Sequence, residues 1–275
     1  MLKFNNQKGG IYLKLGIIGG SGIYDIEGII IKDEKKMKTP FGYPSDKYLI
    51  GVIPNSKTTI IFLQRHSEKH NIPPHKINYK ANIWGFKELG VNRIIAFGAS
   101  GGIKKGLHPG DFILLDQIID MTSNRPNTYY EGDTDVVHVD FTEPFCPELR
   151  NSIIKSASIS RINIKKNGTY ICVDGPRLET KAEIKFFSRI GGDVVGMTGM
   201  PEAVLARELE ICYASVSIIT NYAAGITGNK LTVKEVLETM RENKDKIKRL
   251  IINLIPILPS ERNCFCKYAL KDAKM

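Results

Sequence analysis

Short apolar runs of strand length alternate with helix-spaced segments along nearly the whole chain. Three of those runs end in turns of small residues: "GIIGGSG" (16–22), "GASGG" (98–102) and "GMTGMPE" (196–202). This pattern constrains the fold most. Alternating strands and helices call for a layered α/β architecture, with helices covering a sheet. In such sheets ligands sit just outside strand ends. Strands are expected in "YLKLGIIG", "YLIGVI", "TTIIFLQ", "NRIIAFG", "GDFILLDQIIDM", "GTYICV", "DVVGM" and "CYASVSIIT". Helices are expected in "HKINYKANIWGFKELG", "CPELRNSIIKSASI", "TKAEIKFFSRIG" and "PEAVLARELE", and as one long amphipathic helix in "TVKEVLETMRENKDKIKRLIINLI". No repeat or low-complexity linker divides the 275 residues. We therefore expect an extension over 1–14, one domain over 15–260, and a C-terminal tail over 261–275 that carries a C-x-C.

Charge narrows the partners. The formal net charge is +10, but acids interleave two of the lysine runs and no basic tract alternates with aromatics. Such a surface pulls on small anionic substrates and does not read as a nucleic-acid face. No run of 18 apolar residues is present, and the N-terminal apolar stretch is too short for a secretory signal. A cytoplasmic protein without a membrane partner is expected. Of five cysteines, Cys146, Cys172 and Cys212 stand singly in or near apolar segments and read as small buried hydrophobes. Cys264 and Cys266 form the C-x-C, either as a tight disulfide or as two free thiols. Their spacing is too close for a usual zinc knuckle, and no second pair in the sequence completes four ligands.

The small-residue turns can cradle an anion on backbone amides. Ser21 and Thr198 add hydroxyls, and "RHS" places Arg65 and His66 at a strand end. A planar guanidinium suits bidentate phosphate binding. Three such turns plus Arg-His favour a phosphate cradle. His66, His70 and His75 do not make a metal site, since Pro73 and Pro74 break any helix between the last two. Neither the dinucleotide fingerprint nor the P-loop fits, and no serine-nucleophile pattern is present. A bound anion that is itself the nucleophile needs no catalytic serine. Further on, "GPRLET" offers the carboxylate of Glu179, and "TNYAAG" offers the amide of Asn221 after an apolar run. Together they can read the edge of a flat heterocycle, although Glu179 could also be an acid favoured at a helix start.

Taken jointly, "GIIGGSGIYD", "TPFGYPSD", "RHSEKHNIPPHKINYKANIW", "GDFILLDQIIDMT", "EPFCPELR", "GTYICVDGPR", "GMTGMPEAVLARELEICYAS" and "CFC" resemble the methylthioadenosine phosphorylase branch of the purine nucleoside phosphorylase family. The resemblance runs from about Leu15 to Ala273. It implies a three-layer α/β/α subunit with a mixed central sheet, a homotrimer or dimer of trimers, and a place in purine salvage. It also implies phosphorolysis of a nucleoside, with inorganic phosphate as co-substrate and no other cofactor. Carried over by position, phosphate would be held by Ser21, Arg65, His66, the backbone at Ala99, and Thr198. Gly98 stands where the family often has a hydroxyl residue. Met197 matches the residue against the sugar, and His138 one offered to a neighbouring subunit's sugar 5′ end. Val233 and Val236 match the apolar 5′ pocket of the methylthio enzymes. Asn221, Glu179 and His66 would form the catalytic set, with Glu179, Asn221 and Ala223 at the base.

The base-reading positions depart from that branch. Adenine-specific relatives place a small hydroxyl residue where Glu179 stands and aspartates where Asn221 and Ala223 stand. The 6-oxopurine enzymes of the wider family carry the Glu and Asn pair. A carboxylate repels the lone pair of adenine N1 but accepts a charge-assisted hydrogen bond from hypoxanthine N1–H. The expectation is cleavage of S-methyl-5′-thioinosine, with inosine and guanosine weaker and methylthioadenosine the principal alternative. A non-catalytic purine-binding module is a distant third.

Overall fold

A computed structural model describes residues 13–20, 28–54, 56–132, 135–228 and 231–275. Its strands are β1 (Leu13–Gly19), β2 (Ile30–Lys35), β3 (Tyr48–Val52), β4 (Thr58–Gln64), β5 (Arg93–Gly102), β6 (Phe112–Leu114), β7 (Gln117–Asp120), β8 (Ile164–Lys165), β9 (Thr169–Cys172), β10 (Val194–Gly196) and β11 (Cys212–Tyr222). Its α-helices are α1 (Tyr79–Glu88), α2 (Pro147–Ile159), α3 (Lys181–Arg189), α4 (Gly199–Glu208), α5 (Val233–Glu242) and α6 (Lys244–Leu254).

β5 organises the sheet. It pairs in parallel with β1 and β11 and antiparallel with β10. The main path runs β2-β3-β4-β1-β5-β10-β9-β7, and β11 leads off β5 to β6 and β8. Parallel and antiparallel pairings coexist, as expected for a mixed sheet. Strand alternation sorts side chains between two layers. Ile95 and Phe97 of β5 point into a core with Leu149 and Ile153 of α2 and Ile247, Leu250 and Ile251 of α6. Ile94 and Ala96 point the other way, against Ile83 and Phe86 of α1 and Ala203 and Leu205 of α4. Helices therefore cover both faces, giving the expected three layers. A smaller cluster, with Ile184 and Phe187 of α3 against Val195 and Ala223, closes one end.

Three local expectations are corrected. "GASGG" is not a turn: β5 runs through it to Gly102, because its residues pair with β11 and β10. The long C-terminal helix is two helices that meet at Asn243. The Asn243 side chain is buried and gives its amide to the Thr239 carbonyl, which ends α5. The segment around the C-x-C is not a loose tail. Cys264 and Cys266 are buried in the α2/α6 core, and the Met275 N–H donates to the Val136 carbonyl.

Candidate active site

The strand ends around β5 open into a cavity of about 260 Å³. Arg65, His66, Ala99, Glu179, Met197, Thr198, Asn221 and Val236 all line it. They come from six separate stretches of chain, so the sheet is what brings them together.

Arg65 follows β4, and its backbone N–H is fixed to the Gly19 carbonyl at 3.0 Å. Its side chain is buried. Nε and Nη2 donate to the two carboxylate oxygens of Glu202 at 2.5 and 3.0 Å, and Nη1 donates to the Phe97 carbonyl at 3.0 Å. A guanidinium has five N–H groups, so two remain for a ligand. Glu202 is fully buried and also accepts from the Tyr213 hydroxyl at 2.8 Å. The Glu202 carboxylate holds the Arg65 guanidinium above its usual range against the opposing effect of burial, so Arg65 stays charged.

His66 is half-buried beside it. Burial foremost, with the neighbouring Arg65 and His70 charges, lowers its pKa to about 4, so the ring is neutral near pH 7. Its Nδ1 lies 2.8 Å from the Ile72 carbonyl. A carbonyl can only accept, so Nδ1 carries the proton and Nε2 is an acceptor. Such a nitrogen can take a hydrogen bond from a protonated phosphate oxygen or a sugar hydroxyl.

Thr198 is the N-cap of α4, yet its side chain makes no capping bond and its hydroxyl is left to the cavity. Along β5 the small residues Gly98, Ala99, Ser100 and Gly101 keep backbone close to the ligand space. A Cβ added at Gly98 would meet nothing within 4 Å. A hydroxyl side chain there would thus have room.

Glu179 is half-buried at the cavity wall, and burial pushes its carboxyl above the ordinary glutamate value. It does not cap α3. Thr180 is the N-cap, and Glu183 completes a reciprocal capping box with it while also accepting from Arg177. With the cap satisfied, Glu179 makes no hydrogen bond to another described residue. The preceding turn is set by Gly175, which adopts φ +65° and lets the Met197 side chain pack directly on its Cα.

Asn221 sits after a register shift in β11, between Ile219 and Asn221. In a regular strand, neighbouring side chains face opposite ways; a bulge re-aims one of them. Thr220 and Asn221 accordingly both line the cavity. The Asn221 amide donates to the Tyr222 carbonyl at 2.9 Å and accepts from the Thr220 hydroxyl at 2.9 Å. Glu179 and Asn221 thus supply a carboxylate and an amide to one cavity.

Other expected site residues fall elsewhere. Val233 is 72% exposed and does not line the cavity; Val236, Leu237 and Met240 form the apolar wall from α5 instead. The helix turns 100° per residue, and 236, 237 and 240 share the inward stripe while 233 extends past the rim. Ala223 is buried against Val195 and Ile103 and does not line the cavity either. His138 is exposed and belongs to a stretch paired with the C-terminus, through its N–H to the Ala273 carbonyl at 2.8 Å. Ser21 lies outside the described residues.

Sequence reading missed two organisers. Glu202 could have been found as a lone acid between apolar residues in "GMPEAVLA". Arg125 left no such signal. Its guanidinium ties together Asp174, the carbonyls of Val173, Met197 and Met200, and the Tyr79 hydroxyl. It fixes the loops that carry Met197 and lead to Glu179. The expectation that no second pair joins the C-x-C is corrected: Cys146 and Cys212 complete a cluster of four with Cys264 and Cys266. All five cysteines are free thiols.

Residues 14–256 match the family model described as "Phosphorylase superfamily". A 6-oxopurine nucleoside phosphorylase from Pyrococcus furiosus is 51% identical over 266 residues, covering 94% of this chain and 98% of its own. A probable S-methyl-5′-thioinosine phosphorylase from Thermodesulfovibrio yellowstonii is 52% identical over 262 residues, with 95% and 97% covered. An S-methyl-5′-thioadenosine phosphorylase from Thermofilum pendens is 45% identical over 261 residues, with 95% and 98% covered. Among solved structures, methylthioadenosine phosphorylase from Schistosoma mansoni in complex with adenine superposes with a TM-score of 0.89 at 31% identity, over 96% of this chain and 99% of that one.

Proposed function

From the premise that the chain belongs to the phosphorylase superfamily and is a pentosyltransferase of its purine nucleoside branch, we propose that it cleaves 6-oxopurine nucleosides, with S-methyl-5′-thioinosine as its preferred substrate. The products are hypoxanthine and S-methyl-5-thioribose 1-phosphate. The observation that carries this reading is the pairing of Glu179 and Asn221 in one cavity, with the α3 cap already supplied by Thr180 and Glu183. A free carboxylate at this wall accepts from N1–H of a 6-oxopurine and repels the N1 lone pair of adenine. The amide of Asn221, exchanging its local bonds for the base, donates to O6 and accepts from a protonated N7.

Phosphate is held by the two remaining Arg65 donors, Thr198, the Ala99 backbone and Ser21, with His66 accepting from its hydroxyl. A phosphate oxygen forms a bond to C1′ as the C1′–N9 bond breaks. The released electron pair passes to the purine, which takes a proton from solvent at N7, and the Asn221 carbonyl accepts from the resulting N7–H. Positioning and charge carry most of the rate in a displacement by a held anion. At the sugar's 5′ end, Met197, Val236, Leu237 and Met240 offer an apolar wall. Each matched apolar group favours a thiomethyl by roughly 1–3 kcal/mol. His138, which does not line this cavity, is assigned to a neighbouring subunit's site in a homotrimer.

Methylthioadenosine is the second reading, and the raised carboxyl of Glu179 is what favours it. Once protonated, that group donates to adenine N1. Its folded value lies above the ordinary one, so the protonated fraction at any acidic pH exceeds that of a free glutamate and falls as pH rises. The test is phosphate-dependent cleavage of methylthioinosine, inosine, methylthioadenosine and adenosine, at neutral and acidic pH, in the wild type and Glu179→Gln. Methylthioinosine should lead at neutral pH, with adenine nucleosides slower by as much as about 10⁴-fold. Acid should narrow the gap, and the Gln variant should narrow it at all pH values. If methylthioadenosine leads at neutral pH, the base assignment is wrong.

A further inference from the structure

The four sulfurs noted above lie far from the cleft chemistry and are brought together from three remote parts of the chain. Cys146 is the N-cap of α2, Cys212 opens β11, and Cys264 and Cys266 bracket the start of the short 3₁₀ turn Phe265–Tyr268. All four are buried, and their Sγ atoms lie within 4.8 Å of one another. Cys212 and Cys264 approach to 3.3 Å.

We propose that Cys146, Cys212, Cys264 and Cys266 form a closed tetrathiolate site for a thiophilic divalent cation, with zinc as its occupant. The number, type and arrangement of donors all point this way. Structural zinc is four-coordinate and tetrahedral, with Zn–S near 2.3 Å, which sets the six sulfur–sulfur separations at about 3.8 Å. The cluster already has every sulfur within 4.8 Å of every other, so coordination asks for shifts of roughly an ångström at most, with the 3.3 Å Cys212–Cys264 pair moving apart and wider pairs closing. On binding, four Zn–S bonds form and four S–H protons leave to solvent; no electron is transferred.

The surroundings suit the anionic product. The N-terminus of α2 points its first amides at Cys146, whose sulfur accepts from the Leu149 N–H at 3.4 Å. Arg93 is Cys212's register partner on β5 and is buried. It donates to the Glu261 carbonyl at 2.8 Å and lies 3.6 Å from Glu148. Glu148, the nearby acid, is thus countered by Arg93 and by the Asn263 N–H at 2.8 Å. Such a site ties the C-terminal segment to both α2 and β11, a closed role that requires no open coordination position.

The test starts with the full-length protein, expressed with zinc in the medium and purified under reducing conditions. Elemental analysis should find about one zinc per chain. The double variant Cys264→Ser/Cys266→Ser should fall to near zero, whereas Cys172→Ser should keep its metal, because Cys172 lies outside the cluster. Should the double variant fail to fold, stripped wild type reconstituted with Co²⁺ decides: the intense thiolate-to-cobalt absorption of a tetrahedral tetrathiolate is expected. Wild type that takes up neither Zn²⁺ nor Co²⁺, with its cluster cysteines found as titratable thiols or as disulfide pairs by intact mass, overturns the proposal.

Discussion

Arg65 commits three of its five N–H groups to its own protein, and the direction of the remaining two follows from that. Glu202 meets it with both oxygens in a fully buried pair. Replacing Glu202 with Gln keeps the shape but turns one acceptor into a donor facing a donor. The guanidinium would lose its register and the site an anchoring charge. We expect the KM for phosphate to rise by roughly tenfold or more, which is about 1.4 kcal/mol, with the nucleoside KM changing much less. Steady-state kinetics with each substrate varied in turn checks this; an equal rise in both would mean general loosening. A buried pair broken on one side also destabilises by about 3–5 kcal/mol, so measurements belong well below the variant's Tm. At this scale the sequence was most readable where a side chain has a distinctive chemistry. Glu179, Asn221, Arg65, His66 and Thr198, each singled out by its residue type, line one cavity. Arg125 was hidden because its partners lie 46 or more residues away and are mostly backbone carbonyls, and the role of Glu202 was hidden because Arg65 stands 137 residues before it.

At the scale of elements, local signals worked when local physics decided the outcome. Thr180 and Glu183 form the capping box that "TKAE" spells, and Thr232 with Glu235 does the same for α5. The failures came from long-range pairing. "GASGG" carries glycines that locally favour a turn, but two neighbouring strands hold it extended. "MRENKDK" keeps helical periodicity, but buried Asn243 takes a carbonyl from the last turn of α5. Val233 obeys the apolar spacing of α5 and still projects past the cleft, since periodicity fixes a face and not where along it the cavity ends. The cap also gives a prediction. Thr180→Ala should cost about 1 kcal/mol, seen as a lower Tm. The preference between hypoxanthine and adenine nucleosides should stay as in the wild type, because Glu179 precedes the cap. A changed preference would mean that Glu179 and the cap are not separable.

Over the whole molecule, the layered fold and the mixed sheet were legible because strand–helix alternation dictates them, and the cysteine cluster was not, because three distant segments meet only once the sheet has formed. Stability of the whole should also carry the mark of one half-buried ring. His66 has a folded value of about 4 against an ordinary 6.5. Between those values the unfolded chain binds the proton and the folded chain does not, so acidification favours unfolding. The contribution is fully present above pH 6.5 and is lost as pH falls to about 4. Its size is at most about 3 kcal/mol. Thermal melts across this range should show a slope that His66→Asn flattens, and an unchanged slope would remove His66 as its source. The separation of Glu183 from Glu179 has a consequence on another timescale. A lineage that keeps Thr180 and Glu183 keeps its helix, whatever stands at 179. Base choice can therefore drift by single codons while the frame stays under unbroken selection, and descendants with one architecture can come to live on different purines.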